Sequence, residues 1–168
     1  SLTSLSVGFN AIAGSLPASL ATMPKLKGLY LENNHFSGTI PAAFGSAQPL
    51  LALELDNNDL SGTIPADLGR MKLLQTLHLD HNNLTGEVPE SLANLSALND
   101  FTVSKNHLMG PIPPAWDQLV CRRFNSTGST HRRCLMGGNN FTHADCTTAP
   151  CSAEACGACT RAGGARAQ

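Results

Sequence analysis

Acidic side chains recur at one position of a 24-residue period in this sequence, namely Glu32, Asp56 and Asp80. Glu54 and His78 recur two residues earlier in the second and third of these units. If the units stack as parallel strands about 4.8 Å apart, the three acids stand one above another and repel each other. The pattern favours a surface that binds a basic partner or a cation. The alternative is a solvated acidic face, because water and salt weaken the repulsion.

Two histidines, His78 and His81, lie on either side of Asp80. Imidazole and carboxylate groups are metal ligands, but this spacing does not match a closed zinc site, and neighbouring side chains would point to different faces. Histidines exposed to solvent are the simpler interpretation. We therefore predict no metal and no cofactor. Tyr30 occupies the position of Glu54 in the preceding unit, and tyrosine is enriched at binding hot spots.

The sequence carries no motif that is typical of an enzyme. A nucleophile elbow, a phosphate-binding loop and a zinc-protease helix are all absent from it. Paired acids on an open strand surface also lack the water-excluding pocket that raises a catalytic pKa. We therefore expect that the protein is not an enzyme. Two arginine pairs, at residues 122–123 and 132–133, stand among few aromatic residues, so we expect no nucleic acid partner.

The segment LELDNNDLSGTIP at residues 53–65 is one copy of the 24-residue repeat. Close copies begin at Leu29 and Leu77, and looser copies begin at Leu5 and Phe101. Such a period is typical of solenoids, because one unit cannot bury its apolar edge until neighbours stack on it. Within each unit, L-x-x-L-x-L alternates apolar and polar residues, which predicts a short strand with one buried face. A proline later in each unit precedes a segment that we predict to form a short helical turn.

One asparagine recurs in every unit just after the predicted strand. Backbone amides and carbonyls at such a turn have no partners within a sheet, and a carboxamide can both donate and accept. We therefore predict a ladder of stacked carboxamides that joins successive coils. Its members are Asn10, Asn34, Asn58, Asn82 and Asn106.

Residues 50–69 match the motif LxxLxLxxNxLxGxIPxxLGx almost letter for letter, and the repeats at residues 2–119 resemble the plant-type leucine-rich repeat. The resemblance implies an α/β solenoid, a right-handed superhelix with a parallel sheet on its concave face. It also implies a protein that binds ligands or other proteins on that face and is not an enzyme. The ligand-binding residues that we predict there are Tyr30, Glu32, Glu54, Asp56, His78, Asp80 and His81.

The period fails after Trp116, and all six cysteines lie beyond that point. We predict two parts, a solenoid of five repeats at residues 1–119 and a cysteine-rich cap at residues 120–168. An even number of clustered cysteines indicates disulfides, although six cysteines allow fifteen pairings and the sequence does not choose among them. The cysteines are Cys121, Cys134, Cys146, Cys151, Cys156 and Cys159. The cap departs from the plant pattern and is similar to that of surface leucine-rich repeat antigens of protists.

Disulfides and N-glycosylation sequons both indicate an extracellular setting. The sequons begin at Asn83, Asn94, Asn125 and Asn140. No apolar run reaches the roughly 18 residues that suggest a membrane-spanning helix. We therefore expect a secreted or cell-surface protein with no membrane span in this chain, and we expect the chain to be part of a larger surface protein.

These observations predict an extracellular recognition module that binds a protein or a glycan on an acidic concave face. Residues 1–120 hold 10 acidic against 5 basic residues, which favours a basic partner. Two alternatives stay open. One is a glycosylated structural component of a surface coat, in which the repeats are a rigid spacer. The other is an inhibitor of a secreted enzyme, since the repeats resemble those of the polygalacturonase-inhibiting proteins.

Overall fold

The structure is a computed structural model that describes residues 2–47, 49–113, 115 and 133–141. Part of the predicted cap therefore has no structural account. The predicted sites outside the described residues are Cys121, Cys146, Cys151, Cys156, Cys159 and Asn125. No helix among the described residues is both long and apolar enough to cross a bilayer.

The described residues form two parallel sheets joined by short 3-10 helices. The first sheet has the strand order β1-β3-β5-β7-β9-β11, and the second has the order β12-β10-β8-β6-β4-β2. The strands of the first sheet are β1 (Ser4–Ser6), β3 (Gly28–Tyr30), β5 (Ala52–Glu54), β7 (Thr76–His78), β9 (Asp100–Thr102) and β11 (Arg133–Leu135). The strands of the second sheet are β2 (Ala13–Ser15), β4 (His35–Thr39), β6 (Asp59–Thr63), β8 (Asn83–Gly86), β10 (His107–Gly110) and β12 (Asn140–Phe141).

The register of the first sheet repeats the period of the sequence. Leu5 pairs with Leu29, Leu29 with Leu53, Leu53 with Leu77, and Leu77 with Phe101. Each coil therefore places the same column of residues beside the equivalent column of the next coil. The solenoid of parallel strands that the repeat predicts is confirmed.

The leucine columns form one continuous core between the two sheets. Leu53 and Leu77 of the first sheet are fully buried, as are Leu55, which follows β5, and Leu60 of the second sheet. Truncation of such a side chain to alanine costs roughly 2–5 kcal/mol. The face of each first-sheet strand opposite the core is thereby left for other contacts.

The helical turns predicted after each proline are 3-10 helices. Each follows a proline with an extended backbone at its N-cap, for example Pro65 before Ala66–Arg70. The four helices are η1 (Ala18–Thr22), η2 (Ala42–Ser46), η3 (Ala66–Arg70) and η4 (Glu90–Asn94). A short proline-led turn returns the chain from the second sheet to the next strand of the first.

The second sheet is not predicted from the sequence. Its strands cover the x-L-x-G-x part of each unit, where Phe36 and Leu60 are buried and their neighbours are largely exposed. In β6, the glycine Gly62 has a φ of 75°. These strands are short and interrupted by glycine. The alternation of apolar and polar residues therefore does not predict the second sheet.

Asn58 shows the hydrogen bonding of the asparagine column. Its Nδ2 donates to the carbonyls of Leu31, Leu55 and Asp56 at 3.0, 3.1 and 3.2 Å. Its Oδ1 accepts from the amide of Phe36 at 3.0 Å. Asn34, Asn82 and Asn106 make equivalent bonds across neighbouring coils, whereas Asn10 donates within its own coil. One side chain therefore satisfies backbone groups of two successive coils.

The residue before each ladder asparagine lies in the left-handed region. The φ angle is 53° at Asn33 and Asn57, and 52° at His81 and Lys105. Asparagine and histidine adopt this conformation more readily than most residues, whereas lysine does so at a larger steric cost. This tight turn ends each first-sheet strand and fixes the acids that stand just before it.

Residues 133–141 continue both sheets. β11 pairs with β9, and β12 pairs with β10. Asn139 takes the ladder position, because its Nδ2 donates to the carbonyl of Val103 at 2.9 Å and its Oδ1 accepts from the amide of Leu108 at 3.1 Å. The period of 24 does not predict this sixth coil, since Asn139 follows Asn106 by 33 residues. Residues placed in the predicted cap thus extend the solenoid, and the backbone of Cys134 pairs in register with Phe101.

Candidate functional site

Successive strands of the first sheet bring Tyr30, Glu54 and His78 side by side. The register pairs Tyr30 with Glu54, and Glu54 with His78. All three side chains are partly exposed on the face opposite the core. We define the acidic face as the surface formed by these side chains and by the residues that lie between each first-sheet strand and the left-handed turn after it. Those residues include Glu32, Asp56 and Asp80.

Glu32, Asp56 and Asp80 form a second row on the acidic face. Each lies two residues after a first-sheet strand, and its carbonyl accepts a 3.0 Å hydrogen bond from the preceding coil. The three donors are the amides of Phe9, Asn33 and Asn57. Backbone hydrogen bonding between coils thus continues past the strands and holds the three acids in register.

Two side chains lie back over glycines of the acidic face. A Cβ added to Gly8 would lie 2.3 Å from Oε1 of Glu32, and one added to Gly28 would lie 2.6 Å from the ring of Tyr30. Glu32 therefore leans toward the first coil, away from Asp56. Its Oε2 atom is buried and has no hydrogen-bond partner among the described residues.

Asp56 and Asp80 are oriented by neighbouring side chains. Nδ2 of Asn57 donates to Oδ2 of Asp56 at 2.8 Å. Oδ2 of Asp80 lies 2.8 Å from Nδ1 of His81, and the hydroxyl of Thr102 donates to Oδ1 of Asp80. These contacts fix the carboxylates without neutralising them with lysine or arginine.

His78 stands between carboxylates from both neighbouring coils. Its Nδ1 lies 4.0 Å from Oε2 of Glu54, and its Nε2 lies 3.3 Å from Oδ1 of Asp100. The second contact is at ion-pair distance, but the two atoms do not form a hydrogen bond. Both are buried, and neither has a hydrogen-bond partner among the described residues. The side chain of His78 is 19% exposed, so one edge of this cluster remains open to solvent.

Burial raises the pKa of Glu54 above its ordinary value of 4.5. His78 opposes this increase, whereas the charges of Glu32, Asp56 and Asp100 add to it. Desolvation disfavours the ionised carboxylate, and like charges nearby act in the same direction. A cation placed beside Glu54 would relieve both effects.

The acidic face therefore carries an excess of negative charge. Among the described residues, the ion pairs of its carboxylates involve histidines alone. No described lysine or arginine forms an ion pair with them, and the carboxylates concerned are Glu32, Glu54, Asp56, Asp80 and Asp100. Such a surface attracts cationic groups and speeds their encounter with the protein.

Asp100 and Thr102 contribute to this face, although the sequence does not single them out. Asp100 faces His78 and Thr102 donates to Asp80, in both cases across 22 residues of sequence. Thr102 is only 4% exposed. Each contact joins residues 22 positions apart, which matches neither the 24-residue period nor a local motif. The period alone therefore does not predict these contacts.

The three described sequon asparagines lie away from the acidic face. Asn83 lies in β8 and Asn140 in β12, both strands of the second sheet, and Asn94 is the last residue of η4. All three are exposed. Glycans at these positions would leave the acidic face open.

Glu54, Asp56 and His78 are the described residues whose geometry could hold a metal ion. One donor atom from each lies within 4.8 Å of the other two. The grouping differs from the set that local spacing suggests, because His81 turns to Asp80 instead. The three ligands come from two successive coils.

The sequence profile of the Leucine Rich Repeat family matches residues 25–47, 50–71 and 73–95. None of the curated proteins matches the chain. The matched segments correspond to three of the coils described above.

Solved structures of plant receptor ectodomains share the fold. The BIR3–SERK2 complex from Arabidopsis thaliana contains a chain 31% identical, with a TM-score of 0.69, and the match covers 83% of this chain and 69% of that one. The BIR2 ectodomain from the same organism is 30% identical, with a TM-score of 0.67 and coverage of 82% and 67%. The ectodomain of the Arabidopsis receptor kinase HAESA, in complex with an IDA peptide hormone, is 32% identical with a TM-score of 0.68. There the match covers 80% of this chain but only 22% of that one.

Proposed function

Since the chain belongs to the leucine-rich repeat family, we propose that it is an extracellular recognition module that binds a basic segment of a protein or peptide on its acidic face. The observation that carries this proposal is the set of aligned carboxylates without a described lysine or arginine partner. Tyr30, Glu32, Glu54, Asp56, His78, Asp80 and His81 are the proposed contact residues. A cationic ligand would supply the charge that the chain itself does not place there.

The structural neighbours support a binding role in general terms. One is a complex of two proteins, BIR3 and SERK2, and another is a receptor ectodomain that holds a peptide hormone. These partners belong to those proteins. For this chain they support a protein or peptide ligand and a role other than catalysis. The neighbours that are receptor ectodomains support an extracellular location.

A basic peptide fits the acidic face better than a neutral glycan. Stacked carboxylates provide strong electrostatic attraction to lysine and arginine, whereas a neutral sugar gains only hydrogen bonds from them. Tyr30 adds an aromatic surface beside Glu54, and an arginine or lysine could stack on its ring. We therefore propose a protein or peptide ligand and not a glycan.

The position of the sequons favours recognition over a purely structural role. A rigid glycosylated spacer has no reason to keep one face clear, yet Asn83, Asn94 and Asn140 are exposed away from the acidic face. We propose that these asparagines carry glycans and that the cysteines of the cap form disulfides. Both proposals can be checked by mass spectrometry of the secreted chain, before and after reduction.

A random peptide display library selected on the immobilised chain tests the proposed function. We expect the selected peptides to be enriched in lysine and arginine. We also expect these peptides, when free in solution, to compete with one another for a single site. The matched selection uses the chain with Glu54→Gln and Asp56→Asn, which keeps the shape of both side chains. The same enrichment on this variant, or no enrichment of basic residues on the wild type, would contradict the proposal.

A further inference from the structure

The geometry points to a divalent metal site on the acidic face, formed by the carboxylates of Glu54 and Asp56 and the imidazole of His78. One donor atom from each of the three residues lies within 4.8 Å of the others. Imidazole nitrogen combined with carboxylate oxygen suits divalent transition-metal ions such as Zn²⁺ and Mn²⁺. The site shares these three residues with the proposed peptide surface, but the geometry that supports it does not depend on peptide binding.

The gap between His78 and Glu54 has a suitable width for an ion. Nδ1 and Oε2 are 4.0 Å apart, which is too long for a direct hydrogen bond. Two ligands each about 2.0–2.2 Å from a tetrahedrally coordinated ion stand roughly 3.4 Å apart. The present separation therefore requires only small side-chain rotations to admit an ion.

The outer neighbours of the three ligands are arranged as in known metal sites. A histidine that binds a metal commonly faces a carboxylate with its other ring nitrogen. Here Nε2 of His78 lies 3.3 Å from Oδ1 of Asp100. Nδ2 of Asn57 donates to Oδ2 of Asp56, which leaves the other oxygen of that carboxylate for an ion. Asp100 and Asn57 are thus positioning residues for two of the three ligands.

The ring edge of His78 opposite the proposed ion faces Asp100. Nε2 of His78 and Oδ1 of Asp100 are both buried and lie 3.3 Å apart, and neither makes a hydrogen bond with the described residues. An ion on the Nδ1 side would polarise the ring and strengthen the Nε2–H contact to Asp100.

Three protein ligands leave coordination positions open. Zinc sites with three protein ligands keep a fourth position for water or another ligand. His78 and Glu54 are 19% and 24% exposed, so the ion would face solvent on one side. A ligand carboxylate or backbone carbonyl could then complete the coordination.

Paramagnetic broadening by Mn²⁺ tests this site in the complete chain. Mn²⁺ suits carboxylate ligands, whereas thiolates select softer ions such as Zn²⁺, so any reduced cysteine competes less for Mn²⁺ than for Zn²⁺. In ¹H–¹⁵N spectra without peptide, we expect substoichiometric Mn²⁺ to broaden the amide signals of Glu54, Asp56 and His78 first. The signal of exposed Asn94 should remain sharp.

Two histidine variants distinguish a built site from general attraction. His78→Gln should abolish the local broadening, whereas His35→Gln should not, although His35 also faces an acid, Asp59, at 3.6 Å. Asp100→Asn should weaken Mn²⁺ binding roughly tenfold or more, because it alters the orienting partner of the ring. Glu54→Gln provides a second ligand variant if His78→Gln does not fold.

Two outcomes would overturn the metal site. One is broadening that spreads over all acidic regions or survives His78→Gln, which would indicate diffuse ion attraction. The other is no broadening at about 1 mM Mn²⁺, a concentration equal to the weak limit for extracellular calcium modules. Failure of the peptide selection with a positive Mn²⁺ result would refute the proposed ligand but not the metal site.

Discussion

Nδ1 of His78 lies 4.0 Å from Oε2 of Glu54 on the neighbouring coil, although 24 residues separate them in the sequence. The contact exists because the register of β5 and β7 pairs equivalent positions of successive repeats. The repeat therefore does two things. It builds the core from identical leucines, and it brings dissimilar surface residues together in rows.

We expect Glu54→Gln to stabilise the chain more at pH 7 than at pH 4. Burial raises the pKa of Glu54, so the folded chain holds this proton more tightly than the unfolded chain. Below pH 4.5 the carboxyl is mostly protonated in both states and carries no ionisation cost. As the pH rises through the folded pKa, the ionised carboxylate becomes a cost that glutamine does not have.

Urea unfolding at both pH values, with a chelator present, measures this difference. Glu90→Gln, at an exposed glutamate in η4, gives the baseline for removing one surface charge. A Glu54→Gln variant whose stability relative to wild type is unchanged or lower at pH 7 than at pH 4 would show that the pKa is not raised.

We expect Asn58→Asp to destabilise the solenoid by roughly 3 kcal/mol or more. Nδ2 of Asn58 donates to three carbonyls, and a carboxylate would place negative charge against the same oxygens. Chemical denaturation followed by circular dichroism measures the change. Asn99→Asp is the matched control, because Asn99 is exposed and lies outside the ladder. Equal effects of the two substitutions would contradict a special role for the ladder position.

We expect Gly45→Ala to destabilise the chain by roughly 1–3 kcal/mol. A Cβ at Gly45 would lie 2.2 Å from the carbonyl oxygen of Asp67 in the next coil, so the backbone of η2 or η3 would have to move. Ser46→Ala, at the exposed neighbouring residue of η2, should change the stability by less than about 0.5 kcal/mol. Thermal unfolding of both variants measures the difference. A Gly45→Ala variant as stable as Ser46→Ala would mean that the coils are spaced more loosely than the structure shows.

The repeat makes the first sheet predictable from the sequence. A strict period fixes which residues become neighbours, so the row of Tyr30, Glu54 and His78 follows from counting by 24. The stacking of Glu32, Asp56 and Asp80 follows in the same way, because the backbone hydrogen bonds between coils continue through these residues.

Features that depend on side-chain direction or on a broken period are not predictable in this way. Glu32 leans over Gly8, because a residue without a side chain leaves room there. Asp100 reaches His78 diagonally, and a column alignment shows straight neighbours only. The coil around Asn139 is missed because an insertion of nine residues changes the spacing from 24 to 33. The second sheet is likewise not predicted from the sequence, because its strands are short and contain glycine.

The central claim is that the acidic face recognises a basic ligand through the position of its carboxylates and not through net charge. Isothermal titration of a display-selected basic peptide tests it with two isosteric pairs, Asp56→Asn/Asp80→Asn on the acidic face and Asp59→Asn/Asp67→Asn away from it. Each pair removes two negative charges. Asp59 lies in β6 and Asp67 lies in η3.

We predict that the acidic-face pair weakens the affinity roughly tenfold or more, which is a loss of about 1.4 kcal/mol, while the control pair stays close to wild type. Circular dichroism confirms that both variants are folded. Equal affinity losses in the two pairs, or none in either, would contradict the claim.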